Sequence, residues 1–175
     1  MRFALSFRSL FLVMTDSTND DPSCGREHPA RGVLETPDGR TILFCTVCTK
    51  DRATWLANAE VAAEISSIWQ RDARSWITGR WLLMPDHVHF FCTPSRDGRH
   101  SVERWTEYWK DALAKKLQRG PGQWQRGLFH HRIRSPEQYV EKLDYLRQNP
   151  VRAGLVTDPA AWPWQGEIEH ITWDQ

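Results

Sequence analysis

The chain has 175 residues, 40% hydrophobic and 26% charged, enough for one domain with a substantial core. Its formal net charge is +1, so no global charge imbalance announces a polyanionic or membrane-surface partner. No apolar run is long enough to span a bilayer.

Residues 1–35 differ in composition from the rest. Met1 to Met14 is mostly apolar, and Thr15 to Gly32 is polar and rich in turn formers. Arg8 interrupts the apolar run and no small-x-small cleavage site follows, so a signal peptide is not the reading. The segment reads as a poorly ordered N-terminal extension, with Met14 as an alternative start. The main domain is expected over 36–165, and 166–175 as a C-terminal tail.

Thr41 to Thr49 reads as a strand. It holds Cys45 and Cys48, but odd spacing on a strand puts them on opposite faces, whereas a zinc or redox C-x-x-C needs a turn or helix start. The four cysteines therefore form neither a disulfide framework nor a zinc site, and free thiols point to a reducing cytoplasm. A helix follows at about 53–70, then strands near 75–83 and 86–93. Asp97-Gly98 marks a turn. Ser101 caps a helix running to about 118, with Arg104 leaving the capping box incomplete. On it Trp105, Tyr108, Trp109 and Ala112 are expected to form the apolar stripe, which makes Tyr108 a core residue. Gly120-Pro121-Gly122 breaks the chain. Among the ten tryptophans most suit core positions, while Trp124, in this Gly-rich stretch, is a candidate to stack on unpaired bases. Leu128 to Arg134 reads as a strand with His130, Arg132 and Arg134 on one face and Phe129, His131 and Ile133 on the other. The tail after Arg152 reads as irregular chain packed back on the domain. Strands interleaved with helices at hairpin-length links predict an α+β fold, an antiparallel sheet with packed helices.

The strand near 86–93 carries His87-Val88-His89. Side chains at i and i+2 leave a strand on the same face, so the two imidazoles stand side by side while Val88 points into the core. Buried histidines without partners would each carry a desolvated ring nitrogen, which is costly, and a metal ion removes that cost. An exposed His-x-His pair with no role is the competing reading.

Ser135 to Pro150 reads as a helix. Ser135 is a good N-cap, Pro136 suits the first helical position, and Gln138 completes a capping box. Asn149 before Pro150 is expected to end it. At about 100° per residue, Tyr139, Val140, Leu143 and Leu146 share the core face. Tyr145 falls on the polar side with Gln138, Glu141, Lys142 and Asn149. With Tyr108 and Tyr139 assigned to packing, Tyr145 is the tyrosine left for chemistry.

Three blocks together resemble a known family: Pro85-Asp86-His87-Val88-His89, His131-Arg132-Ile133-Arg134-Ser135, and Asp144-Tyr145 followed by Gln148-Asn149-Pro150-Val151-Arg152-Ala153-Gly154-Leu155. They are similar to the HUH-type single-tyrosine transposases, in particular to the REP-associated tyrosine transposase branch, over residues 36 to 165. The resemblance implies the HUH endonuclease fold, a ferredoxin-like sandwich, and a metal-dependent nuclease that cuts and rejoins single-stranded or hairpin DNA through a covalent 5′-phosphotyrosine. It places the metal pair at His87 and His89, the nucleophile at Tyr145 and a third, amide ligand at Asn149. Glu141 is a rival ligand or base, and His131 matches a family position.

Two imidazoles and an amide accept Mg²⁺ or Mn²⁺ when phosphate completes the shell. Between Ser101 and Arg152 there are eleven Lys/Arg against six Asp/Glu. Arg132, Arg134, Lys142, Arg147 and Arg152 lie around the tyrosine helix and are the candidate DNA contacts. Two alternatives stand beside the transposase reading: a non-catalytic DNA-binding protein of the same fold, and a His-x-His metal phosphohydrolase that uses water and does not need Tyr145. The sequence leaves monomer and dimer both open.

Overall fold

A computed structural model describes residues 41–96, 98–120 and 122–171. The N-terminal extension, Asp97 of the expected turn, Pro121 of the Gly-Pro-Gly break and the end of the tail at 172–175 lie outside the described residues.

The sheet is built from β1 (Leu43–Cys48), β2 (Trp76–Leu83), β3 (His87–Pro94), β4 (Phe129–Arg132) and β5 (Gln165–Glu167). The strand order is β4-β1-β3-β2-β5 and every pairing is antiparallel. Directly opposed residues share a face. The pairs Phe44–Phe91, Thr46–His89 and Cys48–His87 therefore lie on one face, and Cys45–Phe90 and Val47–Val88 on the other.

The second face is covered by α1 (Ala59–Arg71) and α2 (Val102–Lys116). Trp69, Trp105, Trp109 and Leu113 pack there on Cys45, Val47, Val88 and Phe90. The first face is covered by α3 (Pro136–Arg152). Leu146 packs there with Ile42, Phe44, Leu82, Phe91 and Ile133, and Trp162 closes the edge with its indole N–H donating to the Leu83 carbonyl at 2.9 Å. The result is the expected α+β architecture with a five-stranded antiparallel sheet. No helix among the described residues is long and apolar enough to cross a membrane.

Several local expectations need correction. The first helix begins at Ala59, not near 53, because Asn58 is the cap and its side chain accepts from the Val61 N–H at 3.0 Å. The chain before it makes a 3₁₀ turn at Lys50–Arg52 in which Asp51 and Arg52 have positive φ, 53° and 55°. On α2 the buried residues are Val102, Trp105, Thr106, Trp109, Lys110 and Leu113. That arc is centred near Thr106 and Leu113, which leaves Tyr108 on its far side, 52% exposed and not in the core.

Helix α3 does not stop at Asn149-Pro150. It runs through Pro150 to Arg152 and ends at Gly154, whose φ is +69°. The Gly154 N–H bonds the Val151 carbonyl and the Leu155 N–H bonds the Pro150 carbonyl, both at 2.9 Å, a Schellman end. Pro150 forgoes one helical hydrogen bond but is buried, and that packing carries the helix past it. Val140 is 56% exposed, because the buried arc centres on Tyr139, Leu146 and Pro150 and Val140 lies about 100° outside it. The chain after α3 is less irregular than expected. It makes a 3₁₀ turn at Pro159–Ala161 and a fifth strand on the free edge of β2.

Candidate active site

Strand β3 begins at the tip of the β2–β3 turn, and three hydrogen bonds hold that tip. The Thr49 N–H and hydroxyl both donate to the Asp86 carbonyl at 2.9 Å, and the Leu56 N–H donates to the Pro85 carbonyl at 3.0 Å. His87 and His89 leave β3 toward α3. Both are buried, His89 completely.

Each imidazole is anchored through its Nδ1. His87 Nδ1 lies 2.7 Å from Asp86 Oδ1, and His89 Nδ1 lies 2.8 Å from Thr46 Oγ1. Asp86 is in turn paired through Oδ2 with Arg52 Nε at 2.7 Å. Burial raises the pKa of the Asp86 carboxyl, but the hydrogen bond and charge of His87, with Arg52, outweigh it and hold the group below its ordinary range. An ionised carboxylate only accepts, so the proton on that bond belongs to His87 Nδ1. The two Nε2 atoms then face each other 3.1 Å apart. For His89, burial first and then the charges of His87, Arg52 and Lys142 push the imidazolium pKa well below its ordinary value, so this ring is neutral near pH 7.

This arrangement fits a divalent cation. A histidine ligand ordinarily donates its second ring N–H to a carboxylate or other acceptor; the Asp86 carboxylate fills that role for His87 and the Thr46 hydroxyl can fill it for His89, so both Nε2 atoms can turn to one ion. Among the described residues no group of three or more His, Cys, Asp or Glu side chains could hold an ion. Asn149 lies one helical turn after Tyr145 on α3. It is half-buried, and its amide nitrogen is buried without a hydrogen-bond partner. Amide oxygen and nitrogen are interchangeable by a flip, so the unpartnered end can be either atom. Since α3 continues past Asn149, the helix-stop explanation of this residue does not hold.

Helix α3 brings Tyr145 to the histidines. Its ring stands edge-on to His89, with centroids 5.5 Å apart, and edge-on to Phe44 at 6.0 Å. Phe44 also stacks on His89 at 5.4 Å and 19°. Two cations flank the phenol ring, Arg152 at 5.4 Å and Lys142 at 5.7 Å from its centroid. Tyr139 packs instead on Phe91 at 4.9 Å and its hydroxyl donates to the Ile171 carbonyl.

The other predicted residues are spread around this centre. His131 is on the site face of β4, opposite Phe44. Arg132 is opposite Leu43 and so turns to the α1–α2 face. Arg134, just past β4, and Arg147 on α3 are exposed. The Glu141 side chain is 71% exposed and pairs with Lys142 at 3.6 Å. Sequence reading missed Thr46, Phe44 and Arg52, and quoted Asp86 without a role. An acid directly before the first histidine was the one local signal. The other three reach the site only through strand pairing or a loop.

The fold is that of a tyrosine transposase. A solved structure of a REP-associated tyrosine transposase bound to a REP hairpin matches with a TM-score of 0.65, over 83% of this chain and 95% of that one, at 20% identity. In sequence the chain is homologous to REP-associated tyrosine transposases, which are enzymes. It is 32% identical over 87 residues to the one from Escherichia coli (strain K12), covering 48% of this chain and 50% of that protein. It is 28% identical over 96 residues to a protein of Haemophilus influenzae (strain ATCC 51907 / DSM 11121 / KW20 / Rd) that carries the same family name, covering 47% and 53%. The chain thus spans about half the length of the curated relatives it matches. No protein-family model matches it.

Proposed function

We propose that the chain is a single-stranded DNA endonuclease and strand transferase that acts on hairpin or repetitive palindromic DNA through Tyr145. The observation that carries this reading is the meeting of Tyr145 with the His87–His89 pair, ring against ring at 5.5 Å, from separate elements of the fold. A water-using phosphohydrolase has no need of a phenol there, and a pure binding module has no need of two converging imidazoles.

In the reaction the Tyr145 hydroxyl attacks phosphorus. The Oη–P bond forms, the P–O3′ bond breaks, the phenol proton is lost to solvent and the leaving O3′ takes one up. A 5′-phosphotyrosine holds the bond energy, so a 3′-hydroxyl can reverse the step and join a new strand. His87, His89 and the Asn149 amide would hold Mg²⁺ or Mn²⁺, which supplies charge neutralisation at the phosphate. Lys142 and Arg152 add positive potential beside the phenol ring, where an anionic backbone must approach. Phe44 sets the angle between His89 and Tyr145, so the nucleophile and the cation-binding edge keep their relative orientation before substrate arrives.

The test is covalent capture. Full-length protein is mixed with Mn²⁺ and an end-labelled single-stranded oligonucleotide carrying a palindromic hairpin from the flanks of its own gene. A protein-sized labelled adduct that needs the cation is expected. Hairpin binding with no adduct under any divalent cation would favour the non-catalytic binding protein, and cleavage without an adduct would favour the phosphohydrolase.

A further inference from the structure

We propose that Arg52 is a positioning residue for this site: it holds the Asp86 carboxylate, and Asp86 holds His87 in the tautomer that turns a bare Nε2 toward His89. The inference rests on the reading of His87 and His89 as cation ligands, and its test separates the two.

The contacts run from one residue to the next. Arg52 Nε meets Asp86 Oδ2 at 2.7 Å, Asp86 Oδ1 meets His87 Nδ1 at 2.7 Å, and His87 Nε2 faces His89 Nε2 at 3.1 Å. The two carboxylate oxygens have different side-chain partners, so the plane of the carboxylate is fixed from both ends. The guanidinium is itself held at a second point, with Nη1 donating to Cys48 Sγ at 3.2 Å. Cys48 lies directly across from His87 in the sheet, so Arg52 is referenced to the same strand pair that carries the ligands. Arg can do this and Lys cannot, because two donors diverge from one rigid plane.

The backbone around Arg52 is unusual. Asp51 and Arg52 have φ of 53° and 55°, a region that non-glycine side chains occupy at a cost. The turn is clamped by Ala53 N–H on the Lys50 carbonyl at 3.1 Å and by Lys50 N–H on the Gln123 carbonyl at 2.9 Å. This conformation delivers the guanidinium to Asp86. The three residues of the turn are exposed.

His89 provides a partial control. Its Nδ1 is anchored by Thr46, while its Nε2 faces that of His87, so a change at His87 reaches His89 through Nε2 and not through Nδ1. A general loosening of the fold would break the Thr46–His89 bond as well, whereas loss of the relay leaves that bond in place.

The experiment uses full-length, metal-free, ¹⁵N-labelled protein at a pH where both rings are neutral. Long-range ¹H–¹⁵N spectra report which ring nitrogen carries the proton, and calorimetry measures Mn²⁺ binding. In the wild type, His87 is protonated on Nδ1. Arg52→Gly suits the positive φ, so the fold survives. It is expected to give a tautomer mixture at His87, keep the Thr46 hydrogen bond to His89 Nδ1, and weaken Mn²⁺ about tenfold or more, the range seen when partners of metal ligands are removed. Arg52→Lys restores the carboxylate contact but not the Cys48 contact, and recovers part of both signals. An unchanged His87 tautomer and unchanged Mn²⁺ affinity in Arg52→Gly would overturn the proposal, as would loss of the Thr46 hydrogen bond to His89 in the same variant. If the wild type binds no Mn²⁺, the cation reading fails, and the His87 tautomer alone still decides the relay.

Discussion

The ring of Tyr145 stands edge-on to the ring of His89, with centroids 5.5 Å apart and planes at 73°. Phe44 lies against both, stacked on the imidazole and edge-on to the phenol. Three aromatic side chains from β1, β3 and α3 therefore share one contact, and the angle between the two functional rings is set by packing of the kind that orders a core. These three rings sit on regular elements and not on loops, which is what precise positioning of a nucleophile needs.

Tyr145→Phe keeps this packing and removes one hydroxyl, so a stability change within about 1 kcal/mol and normal hairpin affinity are expected, with no covalent adduct. Tyr139→Phe is the reverse case. It loses the bond to the Ile171 carbonyl, costs about 0.5–1.5 kcal/mol and keeps the adduct. Gel mobility of labelled DNA and thermal melting read the two effects. An adduct that depends on Tyr139 and not on Tyr145 would invert the roles of the two tyrosines.

The two histidines are predicted to differ in what they do for the fold. His89 is 0% exposed and stacked on Phe44, so His89→Ala leaves a cavity and costs about 2–4 kcal/mol. For a domain of this size that lowers Tm by roughly 4–16 °C. His87, at the rim of the site, costs less when truncated. Both variants lose Mn²⁺ binding. Calorimetry and melting curves check this, and a His89→Ala protein with wild-type Tm and wild-type Mn²⁺ binding would contradict it.

What the sequence made legible was what local rules control. The period-2 pairing of His87 and His89, the capped starts at Ser101 and Ser135, and the separation of Tyr145 from the Tyr139–Leu146 stripe all follow from residue spacing. What it hid depends on tertiary contacts. Tyr108 looked apolar enough for the core, but the arc on α2 is set by where Thr106 and Lys110 are buried. Asn149-Pro150 looked like a stop, but packing of Pro150 and the Gly154 end outweigh the proline signal. Arg52 and Thr46 touch the site through a turn and a strand pairing that no local pattern announces. The fifth strand forms because β2 has a free edge, which only the assembled sheet reveals.

The cations fall into two groups by face, and this predicts salt dependence. Lys142 and Arg152 flank the Tyr145 ring, while Arg132 turns to the α1–α2 face. Binding of a single-stranded or hairpin oligonucleotide should weaken with salt, and each phosphate contact removed should lower the log–log slope by about 0.7–0.9. Lys142→Gln with Arg152→Gln is expected to lower it by roughly 1–2 on that basis, and Arg132→Gln to leave it unchanged. Fluorescence anisotropy across a salt series measures the slope. A slope reduced by Arg132→Gln and indifferent to the other pair would move the DNA to the opposite face of the sheet.

His131 supplies the pH prediction. It sits on the site face of β4 opposite Phe44. Burial first, and then the positive charges of Lys142 and Arg134, lower its pKa from the ordinary 6.5, against the smaller pull of Glu141 and a hydrogen bond with Gln138. Its folded value is thus below its unfolded value. Between the two, the unfolded chain binds more protons than the folded one, so stability rises with pH in that window. The contribution of His131 is complete above pH 6.5 and is lost as pH falls through the folded value. The same positive charges that disfavour the imidazolium are the ones proposed to receive DNA, so one substitution probes both. In an NMR titration His131 is expected to protonate below its ordinary pKa, and Lys142→Gln to move that midpoint upward. His131→Gln is expected to flatten the fall in Tm on the acid side. A wild-type midpoint at or above the ordinary value, or one that ignores Lys142→Gln, would remove Lys142 from the electrostatic surroundings of this face.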